Sequence, residues 1–184
     1  GTIEVPYSLA DMADDAVGVL DALGLGSAHI VGASLGGMIG QHVVTRHPDR
    51  VRTFTSIMSM PRFIPMEMEV ALSLQPPDVA PHDREAIVAA GIEAARLIAG
   101  TSYPFDEAYV RREALANLDR AWHPDGGVRQ VMAALADGDR RPALSTVAVP
   151  TLVIHGTDDP LIVPQGGQET ADAIPGAELV WIEG

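Results

Sequence analysis

The pentapeptide Gly32-Ala33-Ser34-Leu35-Gly36 places one hydroxyl between two glycines, a spacing that suits a serine nucleophile. A short apolar run, residues 28–32, leads into it, and helical spacing from Leu35 to Arg46 follows. The segment is therefore expected to be a strand, a sharp turn and a helix. A turn this tight strains the backbone at the serine. Small residues two places before and after it let the flanking backbone approach without a Cβ clash. Gly32 and Gly36 are expected to supply that room, with Gly37 adding slack. The turn would lift the Ser34 hydroxyl above the N-terminus of the helix. The Leu35 N–H would then point to where an oxyanion forms, in the favourable field of the helix dipole. A glycine-rich turn carrying an incidental serine is the plainer alternative.

A serine nucleophile needs a base, and the base needs an orienting acid. A second apolar run, residues 149–155, leads into Gly156-Thr157-Asp158-Asp159-Pro160, so carboxylates follow a strand directly. Either aspartate could serve as the acid, and either could simply stabilise a local turn. The six histidines are His29, His42, His47, His82, His123 and His155. None follows Asp159, and each reads as structural or solvent-facing. His155 with Asp158 and Asp159 mixes metal-ligand types, but no second histidine is placed to join them, and no metal site is expected. The glycines around Ser34 lack the lysine of a phosphate-binding loop and the spacing of a dinucleotide fingerprint, so no organic cofactor is expected either.

The elements that must position these residues follow from periodicity and punctuation. Ser8 and Asp11 have capping-box spacing, and an apolar stripe from Leu9 to Leu23 predicts a helix that ends at Gly24. Strands are predicted over 28–32, 51–57, 149–155 and 178–182. Helices are predicted over 35–46 and 168–174. This alternation implies a parallel sheet with covering helices, an α/β fold. From about residue 58 to residue 141 no convincing strand occurs. That stretch holds proline connectors at Pro61, Pro65, Pro76, Pro77 and Pro81, and helical patterns over 84–99, 106–122 and 127–136.

Composition bounds the function. With 184 residues, the length suits one domain, at roughly 100–200 residues per domain. There is no cysteine, which removes disulfides, thiolate metal sites and a cysteine nucleophile. Lys and Arg number 12 against 25 Asp and Glu, a net charge of −13. That balance argues against nucleic-acid and anionic-membrane partners. It suits a cytoplasmic protein acting on a small molecule.

With these residues in view, the chain resembles the α/β-hydrolase family from end to end. The resemblance rests on residues 31–38, on His47-Pro48-Asp49-Arg50-Val51, on residues 149–160 and on residues 173–179. Within the family it is most similar to bacterial esterases of the aclacinomycin methylesterase and proline iminopeptidase-like group, a likeness to which residues 55–59 and 138–141 add. The resemblance implies Ser34 as nucleophile, Asp159 rather than Asp158 as triad acid, and Leu35 as one oxyanion-hole donor. It implies core segments at 1–57 and 142–184, with a helical cap at 58–141. Met58, Met60, Met66 and Met68 could line an apolar pocket under that cap, as adaptable packing groups. The expected function is hydrolysis of a carboxylic ester. A perhydrolase or amidase would use the same triad, and a non-catalytic binding protein is the alternative from another class. In the family a histidine loop follows the last strand, so the triad histidine is expected beyond residue 184. The second oxyanion donor is expected before residue 1, and the sequence is read as partial.

Overall fold

The computed structural model describes residues 6–73, 75, 79–80 and 82–184. Residues 1–4 and the expected connectors Pro76, Pro77 and Pro81 lie outside the described residues. In chain order the elements are α1 (Leu9–Ala22), β1 (Ala28–Ala33), α2 (Leu35–Arg46), β2 (Val51–Ile57), α3 (Met68–Ser73), α4 (Arg84–Ile98), α5 (Glu107–Arg120), α6 (Pro124–Ala136), α7 (Arg141–Leu144), β3 (Thr151–Gly156), α8 (Gln165–Ala173) and β4 (Glu178–Ile182). A 3-10 turn, Pro48–Arg50, links α2 to β2. Among the described residues no helix is long and apolar enough to cross a membrane.

The four strands form one parallel sheet in sequential order. Ala33 stands opposite Ile57, and Ile57 opposite Ile154, so the ends of β1, β2 and β3 open on the same edge. Strands in a sheet lie about 4.8 Å apart, which sets the ends of β1 and β3 about 10 Å from one another. Burial alternates along the strands. Gly32, Ser56 and Val153 share a register row on the buried face, while Val31 on the other face is 65% exposed. The helices therefore cover the buried face of the sheet at β1 and leave Val31 open on the other.

Local signals account for most element ends. Ser8 Oγ accepts from the Asp11 amide at 3.2 Å, and Asp11 returns the bond to the Ser8 amide at 2.7 Å. That amide holds the Asp11 carboxyl below its ordinary value. Gly24 adopts φ 67, as a left-handed cap requires. Strand β3 begins two residues later than expected. Pro150 has no N–H to donate, and its carbonyl accepts from Phe54 N before the ladder starts. Helices α6 and α8 begin three residues earlier than expected, so that Gly126, Gly166 and Gly167 fall inside them. At Gly166 a Cβ would lie 2.8 Å from Met60 Cβ, and at Gly167 it would lie 2.5 Å from His155 Nδ1. Those glycines are fixed by close packing, not by a turn. The short helices α3 and α7 were not expected.

The main core joins Ala13 and Val17 of α1, Val43 and Val44 of α2, Val51 and Phe54 of β2, and Leu144 of α7. Gly40 lets α2 sit on the Phe54 ring, since a Cβ there would come within 2.6 Å of it. A second cluster, including Leu9, Met38, Met60, Ile64, Ala133 and Ile162, packs together. It ties α1 and α2 to α6 and to the segments after β2 and β3.

Two features generate tests. Ser56 is 1% exposed, and its hydroxyl has no partner among the described residues. An unsatisfied buried hydroxyl costs about 1 kcal/mol or more. Ser56→Ala is expected to raise stability by roughly that amount in urea unfolding; a loss of stability would show the hydroxyl to be bonded. Glu169 of α8 receives two bonds from Arg62, at 2.6 and 2.8 Å, and is held below its ordinary value of 4.5 first by that bonding. A carboxyl depressed in the folded state stabilises above its unfolded pKa and loses that contribution as pH falls through the folded one. Glu169→Gln should therefore destabilise by up to about 1 kcal/mol at neutral pH. The gap to the parent protein should narrow on acidification below pH 4.5. A gap independent of pH would exclude the charge as its cause.

Candidate active site

Ser34 stands between β1 and α2 with φ 53 and ψ −121, a left-handed conformation that a side chain rarely adopts. Its N–H donates to Ile57 O at 2.9 Å. Its carbonyl accepts three donors: Gly37 N at 2.9 Å, Met38 N at 3.2 Å and Ser59 Oγ at 2.9 Å. The Ser34 hydroxyl caps no amide of α2 and makes no hydrogen bond among the described residues. The Leu35 N–H lies in the first turn of α2, where helix amides lack intrahelical acceptors, and it too has no partner among the described residues.

The roles of the surrounding glycines differ from expectation at one position. A Cβ at Gly32 would fall on the Gly36 carbonyl and lie 2.7 Å from Gly37 N. A Cβ at Gly37 would lie 2.6 Å from Ser59 Cβ. At Gly36 a Cβ would meet nothing within 4 Å. The tight pair is thus Gly32 and Gly37, and Gly36 contributes a backbone carbonyl to the contact. Ser59, 2% exposed, is a residue whose contact with the turn no sequence signal announced. It reaches Ser34 because Met58 also adopts a positive φ, 43, and turns the chain back at the end of β2.

After β3, the two aspartates part. Asp158 is exposed, and among the described residues its carboxylate accepts only from Thr157 Oγ1, at 3.3 Å. Asp159 is 11% exposed at its side chain, and its Oδ1 accepts from Leu161 N and Ile162 N, both at 2.9 Å. Its Oδ2 lies 3.5 Å from His155 Nε2. His155 is 1% exposed and spends Nε2 on Ile162 O at 2.5 Å, with Nδ1 buried and unpartnered. His155 therefore braces the turn from inside the core, the structural role expected of it. The other histidines with side-chain partners are engaged elsewhere: His29 with Thr53, His42 with Asp137, and His47 with Asp14.

A cavity of about 600 Å³ joins the two turns. Ser34, Leu35 and Met38 line it from one side, Leu161 and Ile162 from another, and α6 from a third. Of the four methionines expected there, Met60 and Met66 line it. Met58 does not, and Met68 is 73% exposed.

A buried cation holds the walls in place. Arg140 is 7% exposed. It donates to Gln41 Oε1 of α2 at 2.8 Å, to Met60 O at 2.7 Å and to Asp137 Oδ2. Burial pushes its pKa down, and Asp137 opposes that. The adjacent Arg141 bonds Asp139 and holds that carboxyl at about 2. Periodicity carries no sign of the contact between Arg140 and Gln41.

The model of the alpha/beta hydrolase fold family matches residues 3–95. This chain belongs to the α/β hydrolase fold family. Rhodomycin D methylesterase DnrP of Streptomyces peucetius is 30% identical over 198 residues, covering 97% of this chain and 66% of the relative. The chain thus spans 66% of that relative's length. Among solved structures, the enol-lactonase of Burkholderia xenovorans LB400 is similar, with a TM-score of 0.67 and 26% identity over 96% of this chain and 65% of that one. The meta-cleavage product hydrolase CumD of Pseudomonas fluorescens IP01 shares the fold, with a TM-score of 0.73 at 20% identity over 96% of this chain and 64% of that one. The turn at Ser34 is then the strand-to-helix elbow on which this α/β hydrolase fold carries a serine.

The contact pattern sets a test of the elbow. Gly32→Ala should cost at least about 2 kcal/mol, because backbone and not a flexible side chain blocks the new methyl. Gly36→Ala should be neutral, or stabilising by up to about 1 kcal/mol through helix propensity. Thermal unfolding of the two variants would measure this, and equal losses would refute the assigned contacts.

Proposed function

We propose that the protein is a serine hydrolase of carboxylic esters, with Ser34 as nucleophile, Asp159 as triad acid and the Leu35 N–H as one oxyanion donor. The observation that carries the reading is Ser34 itself. Its strained backbone is tied down on both sides, while its hydroxyl faces a cavity unbonded. A protein that only binds has no use for a serine held at that cost. The methylesterase named among the relatives supports the ester as substrate class.

In this reading Ser34 Oγ attacks the ester carbonyl carbon and its proton passes to an imidazole base. The negative oxygen of the tetrahedral intermediate receives the Leu35 N–H and the positive end of α2. Collapse expels the alcohol, which takes the proton back, and water then cleaves the acyl-serine by the same steps in reverse. Asp159 would orient the base through Oδ2, since Oδ1 is committed to its own turn. Among the described residues no histidine bonds Ser34, and in this reading the base lies outside residues 1–184. Residues 58–141 act as a cap, a reading supported by the segments 60–75 and 127–135 that line the cavity.

The test is covalent labelling and turnover in the whole protein. A fluorophosphonate should label Ser34 and leave Ser34→Ala unlabelled. Ser34→Ala should lower ester turnover by roughly four to six orders of magnitude, and Asp159→Asn by about four. Asp158→Asn should change it little. Turnover that survives Ser34→Ala would end the proposal.

A further inference from the structure

The wall that α6 presents to the cavity is apolar in a way the core does not require. Val128, Val131, Met132 and Leu135 recur at i, i+3, i+4 and i+7, which puts them on one helix face. All four line the cavity. Val131 and Met132 stay 36% exposed and Leu135 47%, whereas Ala133 is 2% exposed and joins the second core cluster. Across the cavity Phe63 is 42% exposed as well. An apolar surface left open beside a reactive hydroxyl is what a ligand's carbon framework would cover.

The charge of the site narrows the ligand further. Among the described residues no lining side chain is charged, and only Ser34, Gln75 and Gln130 bring polar side-chain groups to it. Two cations next to lining residues are spent, and a third, Arg129 between Val128 and Gln130, is not itself among the lining residues. Arg62, beside Phe63, pairs with Glu169, and Arg140 is consumed by Asp137, Gln41 and the carbonyl of the lining residue Met60. A carboxylate entering the cavity would lose water and find no cation among the described lining side chains, inside a protein of net charge −13. An uncharged group would meet methionine and valine walls, with glutamine amides to bond a carbonyl or hydroxyl.

We infer that the cavity over Ser34 selects uncharged esters with a bulky apolar moiety and rejects substrates that carry a carboxylate. The inference rests on the serine hydrolase reading for turnover, but its binding arm does not. A volume of about 600 Å³ falls within the range that encloses ligands of drug size. A short acyl ester would leave most of the apolar wall in water.

The experiment uses the whole protein and matched ligands. Methyl naphthoate is compared with the same ester bearing a free carboxylate on the far ring, and with methyl acetate. Naphthyl acetate and its carboxylate-bearing analogue repeat the comparison with the bulk on the alcohol side. Within each naphthalene pair the neutral member should have a kcat/KM at least about 100-fold higher. Methyl naphthoate should also exceed methyl acetate. In Ser34→Ala, the dissociation constant of acetylnaphthalene should be at least about 100-fold lower than that of its carboxylate analogue, whether or not the parent protein turns over. Gln130→Arg should narrow both gaps by supplying the missing cation. Equal handling of the charged and neutral partners, or a preference for the charged one, would overturn the inference. Absent turnover with the binding preference intact would instead count against the hydrolase reading alone.

Discussion

The strained backbone at Ser34 is the constraint around which the rest of the fold is arranged. A non-glycine residue held at positive φ costs on the order of 1–3 kcal/mol and persists only where its surroundings over-determine it. Here they do. Ile57 O takes the Ser34 N–H, three donors take its carbonyl, and one of them is the buried hydroxyl of Ser59. The first turn of α2 lies directly on β1 because Gly32 has no Cβ to oppose the Gly36 carbonyl. The strain is thus offset by bonds from two neighbouring elements, and the serine side chain is left with none to make.

Strand β2 connects this turn to the acid-bearing one. It pairs with β1 on one side and β3 on the other, so its register fixes how far Ser34 stands from Asp159 along the open sheet edge. Its last residues do more than pair. Ile57 O holds Ser34, Met58 turns the chain and bonds Ile154 O, and Ser59 reaches back to the elbow. The acid turn is braced in its own way, by Asp159 Oδ1 on two amides and by the His155 ring on Ile162 O. Both turns then supply wall residues to one cavity, so their geometry shapes it directly.

Buried charge serves this arrangement by holding segments and not by facing the cavity. Arg140 links α2, the segment after β2 and the end of α6, the three walls nearest Ser34. A buried cation without partners is strongly destabilising, and every donor direction used here ends on an acceptor. The consequence is a cavity with no charged lining side chain among the described residues, with Arg62 and Arg140 committed to acceptors beside it.

The local features of this chain were written in short-range patterns. Hydrophobic period and punctuation placed all four strands, the capping box placed the start of α1, and the Gly-Ala-Ser-Leu-Gly spacing placed the strained serine. Each depends on residues within one or two turns of each other, where backbone sterics and hydrogen-bond geometry act without reference to the fold. What lay beyond that range was decided by tertiary contact. Asp158 and Asp159 are equivalent by spacing and differ only once the turn closes on Leu161 and Ile162. Spacing assigns the close approach to Gly36, and Ser59 packs instead against Gly37. Helix α8 starts ahead of its expected position at residue 168 and takes in Gly166 and Gly167, where Met60 and His155 occupy the space a side chain would need. Arg140 meets Gln41 across 99 positions of chain, a pairing set by register and packing density, for which no local pattern exists.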